Sequence, residues 1–139
     1  MTIHQAISRS VVALVGVAAL STTAPATAHH AIQAEFDTNK TEELTGELTR
    51  FAMVNPHVRW FFDVKEPDGT ISKWELSGAG PGVLRELGMA RIFIIGDTYR
   101  ATFAPARNGS KLGRVRTFTF KDGREVTLYH KDPNNPLNQ

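Results

Sequence analysis

The chain has 139 residues, of which 41% are hydrophobic and 22% are charged, and this is the composition of one ordinary globular domain. It contains no cysteine, which excludes disulfides, thiolate catalysis, a lipid anchor on an N-terminal cysteine and metal sites built on thiolates. Its formal net charge of +2 is small and does not argue for a nucleic-acid partner.

The beginning of the chain has the three parts of a secretory signal peptide. Arg9 precedes an apolar run over residues 11–20 that is too short to span a bilayer, and small residues follow it. Residues 26–28 fit the A-x-A cleavage pattern, which places the cut before His29, and a second, poorer fit lies two residues upstream. We therefore expect an exported protein without a transmembrane span. Nucleic acid is not an expected partner for such a protein.

Three strand-like runs over residues 44–76 form the centre of the sequence. In the second run Val58, Trp60 and Phe62 recur at every second position, which is typical of a strand with one buried face. In the first run the apolar phase slips by one residue near Arg50, which predicts a β-bulge or a strong bend there. An Asn-Pro-His corner and a Pro-Asp-Gly turn separate the three runs and predict antiparallel pairing.

The second half of the chain predicts one helix and further strands. The helical spacing of apolar residues predicts a short helix that begins near Pro81 and ends near Gly88. Alternation over residues 99–103 and 115–120 predicts a fourth and a fifth strand, and an Asp-Gly turn at 122–123 predicts a hairpin with a short return strand. This order is that of an all-β, five-stranded OB-like Greek-key barrel, and a small open sandwich is the alternative.

These patterns divide the chain into four parts. We expect a signal peptide at 1–28, an N-terminal arm at 29–43, an OB-like barrel with one short helix and a C-terminal hairpin extension at 44–130, and a disordered tail at 131–139. In the arm, two apolar residues four positions apart fit either a helical turn or an extended segment, and periodicity does not decide between them.

Four histidines remain after the predicted cleavage: His29, His30, His57 and His130. A mature N-terminal His29 offers its α-amino group and a ring nitrogen to one ion, and His30 or His57 would complete a nitrogen site that suits copper(II). With the upstream cut, His29 becomes the third residue, which is another ligand arrangement for copper or nickel. The alternatives are a solvated linker at the cleavage site, and a His57 ring that locks the proline corner by donating to a backbone carbonyl. His130, near the tail, is expected to be solvated.

Basic residues concentrate in the last third of the chain and indicate a second kind of site. On a barrel they would bind an anionic ligand or a membrane surface, with Phe61 or Phe118 as a stacking platform. The alternative is that they are solvated charges on strands and turns. The residues are Arg100, Arg107, Lys111, Arg114, Arg116, Lys121 and Arg124.

No catalytic constellation stands out in the sequence. The serines lack a G-x-S-x-G context, and the Gly-rich run over residues 77–82 lacks the Lys-Ser/Thr ending of a phosphate loop. The sequence therefore predicts no reaction. An oxidase-type copper enzyme is the least supported hypothesis, because nothing besides the histidines points to substrate chemistry.

Several short motifs carry a family resemblance. They are Ala-His-His at 28–30, Glu-Phe-Asp at 35–37, Leu-Thr-Gly at 44–46, Asn-Pro-His at 55–57, Trp74, the segment 84–88, Gly-Asp at 96–97 and Asp-Gly-Arg at 122–124. In these motifs the chain resembles a family of small exported proteins of Gram-negative bacteria that is catalogued as a domain of unknown function. Ala31 stands where a serine is usual, and residues 80–82 depart from the usual helix start. The resemblance implies a periplasmic location and a barrel-like fold, and it implies no catalytic residue.

We therefore expect a periplasmic OB-like binding protein that would hold copper through His29, His30 and His57. The alternative is a metal-free envelope module that binds a protein or an anionic ligand through the face of the barrel.

Overall fold

A computed structural model describes residues 32–128 of the protein. The predicted signal peptide, His29, His30, His130 and the predicted tail at 131–139 lie outside the described residues. Within residues 32–128, a helical turn at 32–35 is followed by six strands, a short α-helix and a 3-10 helix. They are β1 (Glu42–Ala52), β2 (Arg59–Lys65), β3 (Ile71–Ser77), α1 (Pro81–Glu86), the 3-10 helix (Met89–Arg91), β4 (Thr98–Pro105), β5 (Leu112–Thr119) and β6 (Glu125–Thr127).

The strands form a closed barrel. Their order in the sheet is β3-β2-β1-β4-β5-β6, and a further pairing of β3 with β5 joins the two sides of the sheet. That pairing is parallel, whereas the other pairs are antiparallel. Five strands, β1 to β5, thus close on themselves, and β6 extends β5 as a hairpin. This is the OB fold, so the predicted fold class is confirmed and the open sandwich is wrong.

Strand β1 curls so that it can pair on both sides. Its first half, Glu42 to Glu47, pairs with β4, and its second half pairs with β2. The register with β2 shifts between Leu48 and Arg50, which is the bulge that the phase slip in the sequence predicts. One extra residue at this point turns Arg50 to the outer face of the barrel and leaves Phe51 packed against the core.

Aromatic side chains fill the barrel. Trp60, Phe62, Phe103 and Phe118 are fully buried, as the alternating pattern of β2 predicts for the first two. The Trp60 and Phe118 ring centroids are 5.1 Å apart, and such tilted pairs add attraction beyond the burial of their area. A Cβ at Gly113 would overlap the Phe103 ring, so this glycine allows β5 to approach the core closely.

Helix α1 begins and ends as the sequence predicts. Pro81 stands at its first position, where the missing N–H costs no helical hydrogen bond, and Leu84 is buried in the core. Gly88 follows with φ of 69°, and its N–H donates to the Arg85 carbonyl at 3.0 Å. Within residues 32–128, no helix has the length and apolar character needed to span a membrane.

The segment that precedes β1 is fixed to the outside of the barrel. Residues 32–35 form a helical turn, which resolves the open choice between a turn and an extended arm, and buried Phe36 forms a β-bridge with Ala106. Arg107 Nε donates to the Gln33 carbonyl at 2.8 Å, and Arg116 donates to the Thr38 carbonyl at 2.6 Å. These bonds hold the beginning of the described chain beside strands β4 and β5.

Candidate binding groove

An open groove of about 1100 Å³ lies on the outer surface of the barrel. We call it the outer groove. Strands β1, β2, β3 and β5 form its floor, and residues of the proline corner and of the 32–36 segment line it as well. Its charged, aromatic and histidine lining includes Glu35, Arg50, His57, Arg59, Phe61, Trp74, Glu75, Lys111 and Arg114.

Arg50 and Phe61 form a stacked pair in the outer groove. They are register partners across β1 and β2, and the Arg50 guanidinium carbon lies 3.6 Å from the centroid of the half-buried Phe61 ring. A guanidinium on an aromatic face is attracted by the ring quadrupole, and its N–H groups remain available at the edge of the stack. Among the described residues, no carboxylate lies within ion-pair distance of Arg50.

Two more arginines lie at the same end of the outer groove. Arg59 is opposite Ser77 across β2 and β3, and Ser77 is opposite Arg114 across β3 and β5. Arg59 is also the diagonal neighbour of Arg50, because Arg50 pairs with Phe61 two residues further along β2. Arg59 makes an ion pair with Glu75 at 2.9 Å. We call Arg50, Arg59 and Arg114 the arginine cluster.

The other end of the outer groove lies near Trp74. Lys111 Nζ lies 5.2 Å from the centroid of the Trp74 ring and 3.3 Å from a Glu66 carboxylate oxygen. The Ser72 hydroxyl also donates to this carboxylate, and that bond, followed by the one from Lys111, lowers the pKa of Glu66. The charges at this end are therefore paired with one another.

His57 lies at the proline corner, where the Asn55–Pro56 peptide is cis. Burial, followed by the positive charge of Arg114, lowers the pKa of His57 below its ordinary value of 6.5, and the Gly78 backbone and the charge of Glu35 oppose this shift without reversing it. Its Nδ1 atom is buried and has no hydrogen-bond partner among the described residues. The unpartnered Nδ1 is what a ligand interpretation requires, and the influence of the Gly78 backbone on the pKa of His57 is in line with the corner-locking interpretation.

The structure tests only part of the predicted histidine site. His57 lies in the outer groove, whereas His29, His30 and His130 lie outside the described residues. Within residues 32–128, no three side chains of His, Asp or Glu are grouped closely enough to hold a metal ion. The metal site therefore stays a prediction.

The basic residues of the last third do not form one patch. Lys111 and Arg114 line the outer groove, but Arg107 and Arg116 bind backbone carbonyls of the segment before β1. Arg100 faces Glu43 at 4.0 Å, on a part of the barrel that does not line the groove. The charges near the groove come as much from the first half of the chain as from the last third.

The proposal of Phe118 as a stacking platform is wrong. Its side chain is fully buried, because the pairing of β4 with β5 shifts register at Thr102/Phe103 and leaves Arg116 as an extra residue in β5. This second bulge turns Phe118 into the core. A phase slip from Val115 to Phe118 was the sequence signal for it. Phe61 does line the groove, but Arg50 already covers one face of its ring.

Sequence reasoning missed Arg50 and Arg59 as groove residues. The alternation of β2 predicts that Arg59 points outward, and the bulge in β1 predicts the same for Arg50. Their proximity to Arg114 was not readable, because it depends on the parallel closure of β3 with β5.

The fold and the groove together define an OB-fold protein with an open groove on the outside of its barrel. A family model described as "Family of unknown function (DUF6152)" matches residues 17–116, and the chain belongs to this family, as the motifs predict. No curated protein matches the chain significantly. Among solved structures, the mitochondrial single-stranded DNA-binding protein Rim1 of S. cerevisiae is similar, with 8% identity, a TM-score of 0.46, and coverage of 63% of this chain and 94% of that one.

Proposed function

We propose that this protein is a periplasmic binding protein that holds copper(II) at the proline corner, through His29, His30 and His57. The observation that carries the proposal is that Ile32 and His57 line the same groove. Three peptide units separate His29 from Ile32, and an extended chain of that length spans at most about 10 Å. The short covalent link to Ile32 would therefore allow both early histidines to approach the groove that His57 lines.

The chemistry of the donors supports copper. A mature N-terminal His29 would present an α-amine and an imidazole to one ion, and imidazole nitrogens suit copper(II). His57 is held neutral by burial and by Arg114, and a metal-binding imidazole must be neutral. Glu35 adds a negative charge near His57, which favours a cation there.

Two nearby charges act against the ion. The positive charges of Arg114 and Arg59 both act on the His57 ring, and they would repel a cation bound there. We therefore expect the α-amine and the His29 ring to supply most of the affinity, with His57 as the ligand that ties the ion to the barrel. This arrangement requires export, because removal of residues 1–28 would create the amino end at His29.

The test begins with mass spectrometry of the exported protein, which identifies its first residue. The mature protein is then titrated with copper(II) and examined by electron paramagnetic resonance. We expect one equivalent of copper with nitrogen hyperfine structure, and a weaker site with an altered spectrum in His57→Ala. A variant with one alanine inserted before His29 is the matched control, since it keeps all histidines and displaces the α-amine.

Binding that is weak and non-stoichiometric, and that His57→Ala leaves unchanged, would contradict the proposal. A first residue other than His29 or the residue two positions upstream would contradict it as well. The location is tested separately by osmotic shock, which should release the protein with the periplasmic fraction.

A further inference from the structure

The bulge in β1 has a consequence for the outer groove. Without the extra residue, Arg50 would fall on the same face as Leu48 and point into the barrel. With it, Arg50 stands outside and is aligned by the Phe61 ring at 3.6 Å. Bulges often redirect a side chain next to a functional site, and here the redirected side chain is a cation in a groove.

Arg50 is oriented but not neutralised. The Phe61 stack fixes the plane of the guanidinium, and among residues 32–128 no hydrogen-bond acceptor or carboxylate engages its N–H groups. A planar guanidinium that is held in this way can present two parallel N–H donors to a carboxylate or a phosphate. The side chain is therefore arranged as one half of a bidentate ion pair.

The surrounding charges strengthen this reading. Diagonal neighbours in an antiparallel pair have Cα atoms roughly 7–8 Å apart, so Arg59 lies within reach of a ligand held by Arg50. Arg114 is two strands away from Arg59, which corresponds to roughly 10 Å at the usual strand spacing. Arg59 is paired with Glu75, so Arg50 is the member of the cluster on which the anchoring of a ligand depends. The arginine cluster spans the size of a small molecule with more than one negative group.

We infer that the arginine cluster is a binding site for a small oxyanion ligand, a multiply charged carboxylate or phosphate, with Arg50 as its bidentate anchor. The remainder of the ligand lies along the outer groove toward Trp74. None of these arginines belongs to the proposed copper donor set, so this inference does not depend on copper binding.

The barrel contains a matched control for Arg50. Arg124 also stacks on a phenylalanine, with its guanidinium carbon 4.5 Å from the Phe120 centroid. This pair belongs to the β5–β6 hairpin and does not line the outer groove. Arg50→Gln and Arg124→Gln thus remove the same charge and the same kind of stack, but only the first removes it from the proposed site.

Isothermal titration calorimetry at low ionic strength, with citrate and with inorganic phosphate as probes, tests the inference. We expect saturable one-to-one binding of at least one probe, a roughly tenfold to hundredfold weaker affinity in Arg50→Gln, and no change in Arg124→Gln. Arg50→Lys keeps the positive charge but loses the two parallel N–H donors of the guanidinium, and should give an intermediate affinity. Binding of citrate alone assigns a carboxylate ligand, and binding of phosphate alone assigns a phosphate.

A second readout does not need a variant. Addition of the bound probe to isotope-labelled wild-type protein should shift the guanidinium signal of Arg50 and the ring signals of Phe61 more than those of Arg124 and Phe120. Absence of saturable binding for both probes, or equal losses in Arg50→Gln and Arg124→Gln, would overturn the inference. Copper stoichiometry in Arg50→Gln should equal that of the wild type, which separates this site from the copper site.

Discussion

The two faces of strand β2 lie in different environments, one in the aromatic core and the other in the outer groove. On the inner face Trp60 and Phe62 are almost completely removed from solvent and contact other aromatic rings. On the outer face Arg59, Phe61 and Asp63 face the groove, where they contact charged groups of β1 and β3. One strand therefore supplies both core side chains of the barrel and part of the floor of the outer groove. Adjacent residues of the same type therefore have separate roles, since Phe62 packs in the core and Phe61 stacks with Arg50 in the groove.

Substitution of the two adjacent phenylalanines should separate these roles with the largest effect. Phe62→Ala empties a packed core position and should lower the free energy of unfolding by about 3–5 kcal/mol. Phe61→Ala removes a half-buried ring and its stack with Arg50, and should cost about 1 kcal/mol. Urea unfolding followed by tryptophan fluorescence measures both. Equal losses for the two variants would show that the inner and outer faces are not distinct in the way the structure indicates.

The inner face was predictable from the sequence because its signal is local. The period of two in β2 identified Trp60 and Phe62, the phase slip identified the bulge near Arg50, and the proline at position 81 marked the start of the helix. Each of these features depends on residues within a few positions of one another.

The outer face was only partly predictable because its neighbours are distant in sequence. Arg59 and Arg114 come together through the pairing of Ser77 with both, and that pairing follows from barrel closure. Phe118 was misplaced for a related reason, since its direction depends on a bulge at Arg116 that becomes defined only when β5 pairs with β4. Alternation alone did not show which charged residues share a groove.

His57 lies where the core meets the groove, so its titration offers a further test of how the groove affects stability. Its pKa is lowered, so between pH 6.5 and the lower folded value the unfolded chain binds more protons than the folded one. The free energy of unfolding should therefore be highest above pH 6.5 and should fall as the pH decreases through this interval. In metal-free His57→Gln the decrease should be shallower. Urea unfolding at pH 7.5, 6.5, 5.5 and 5.0 measures the difference, and parallel curves for the two proteins would refute it.

The smallest effect is expected from the ion pairs on the outer face. Lys73 Nζ lies 3.0 Å from Asp63, but its side chain is 81% exposed. Exposed pairs of this kind contribute about 0.2–1 kcal/mol, because water screens the attraction and holding the side chains in place costs entropy. A double-mutant cycle with Lys73→Gln and Asp63→Asn, measured by urea unfolding, should give a coupling energy in that range, and it should shrink in high salt. A coupling well above it would mean that the outer face stabilises the barrel directly, and β2 would then not divide stability from binding as its two faces suggest.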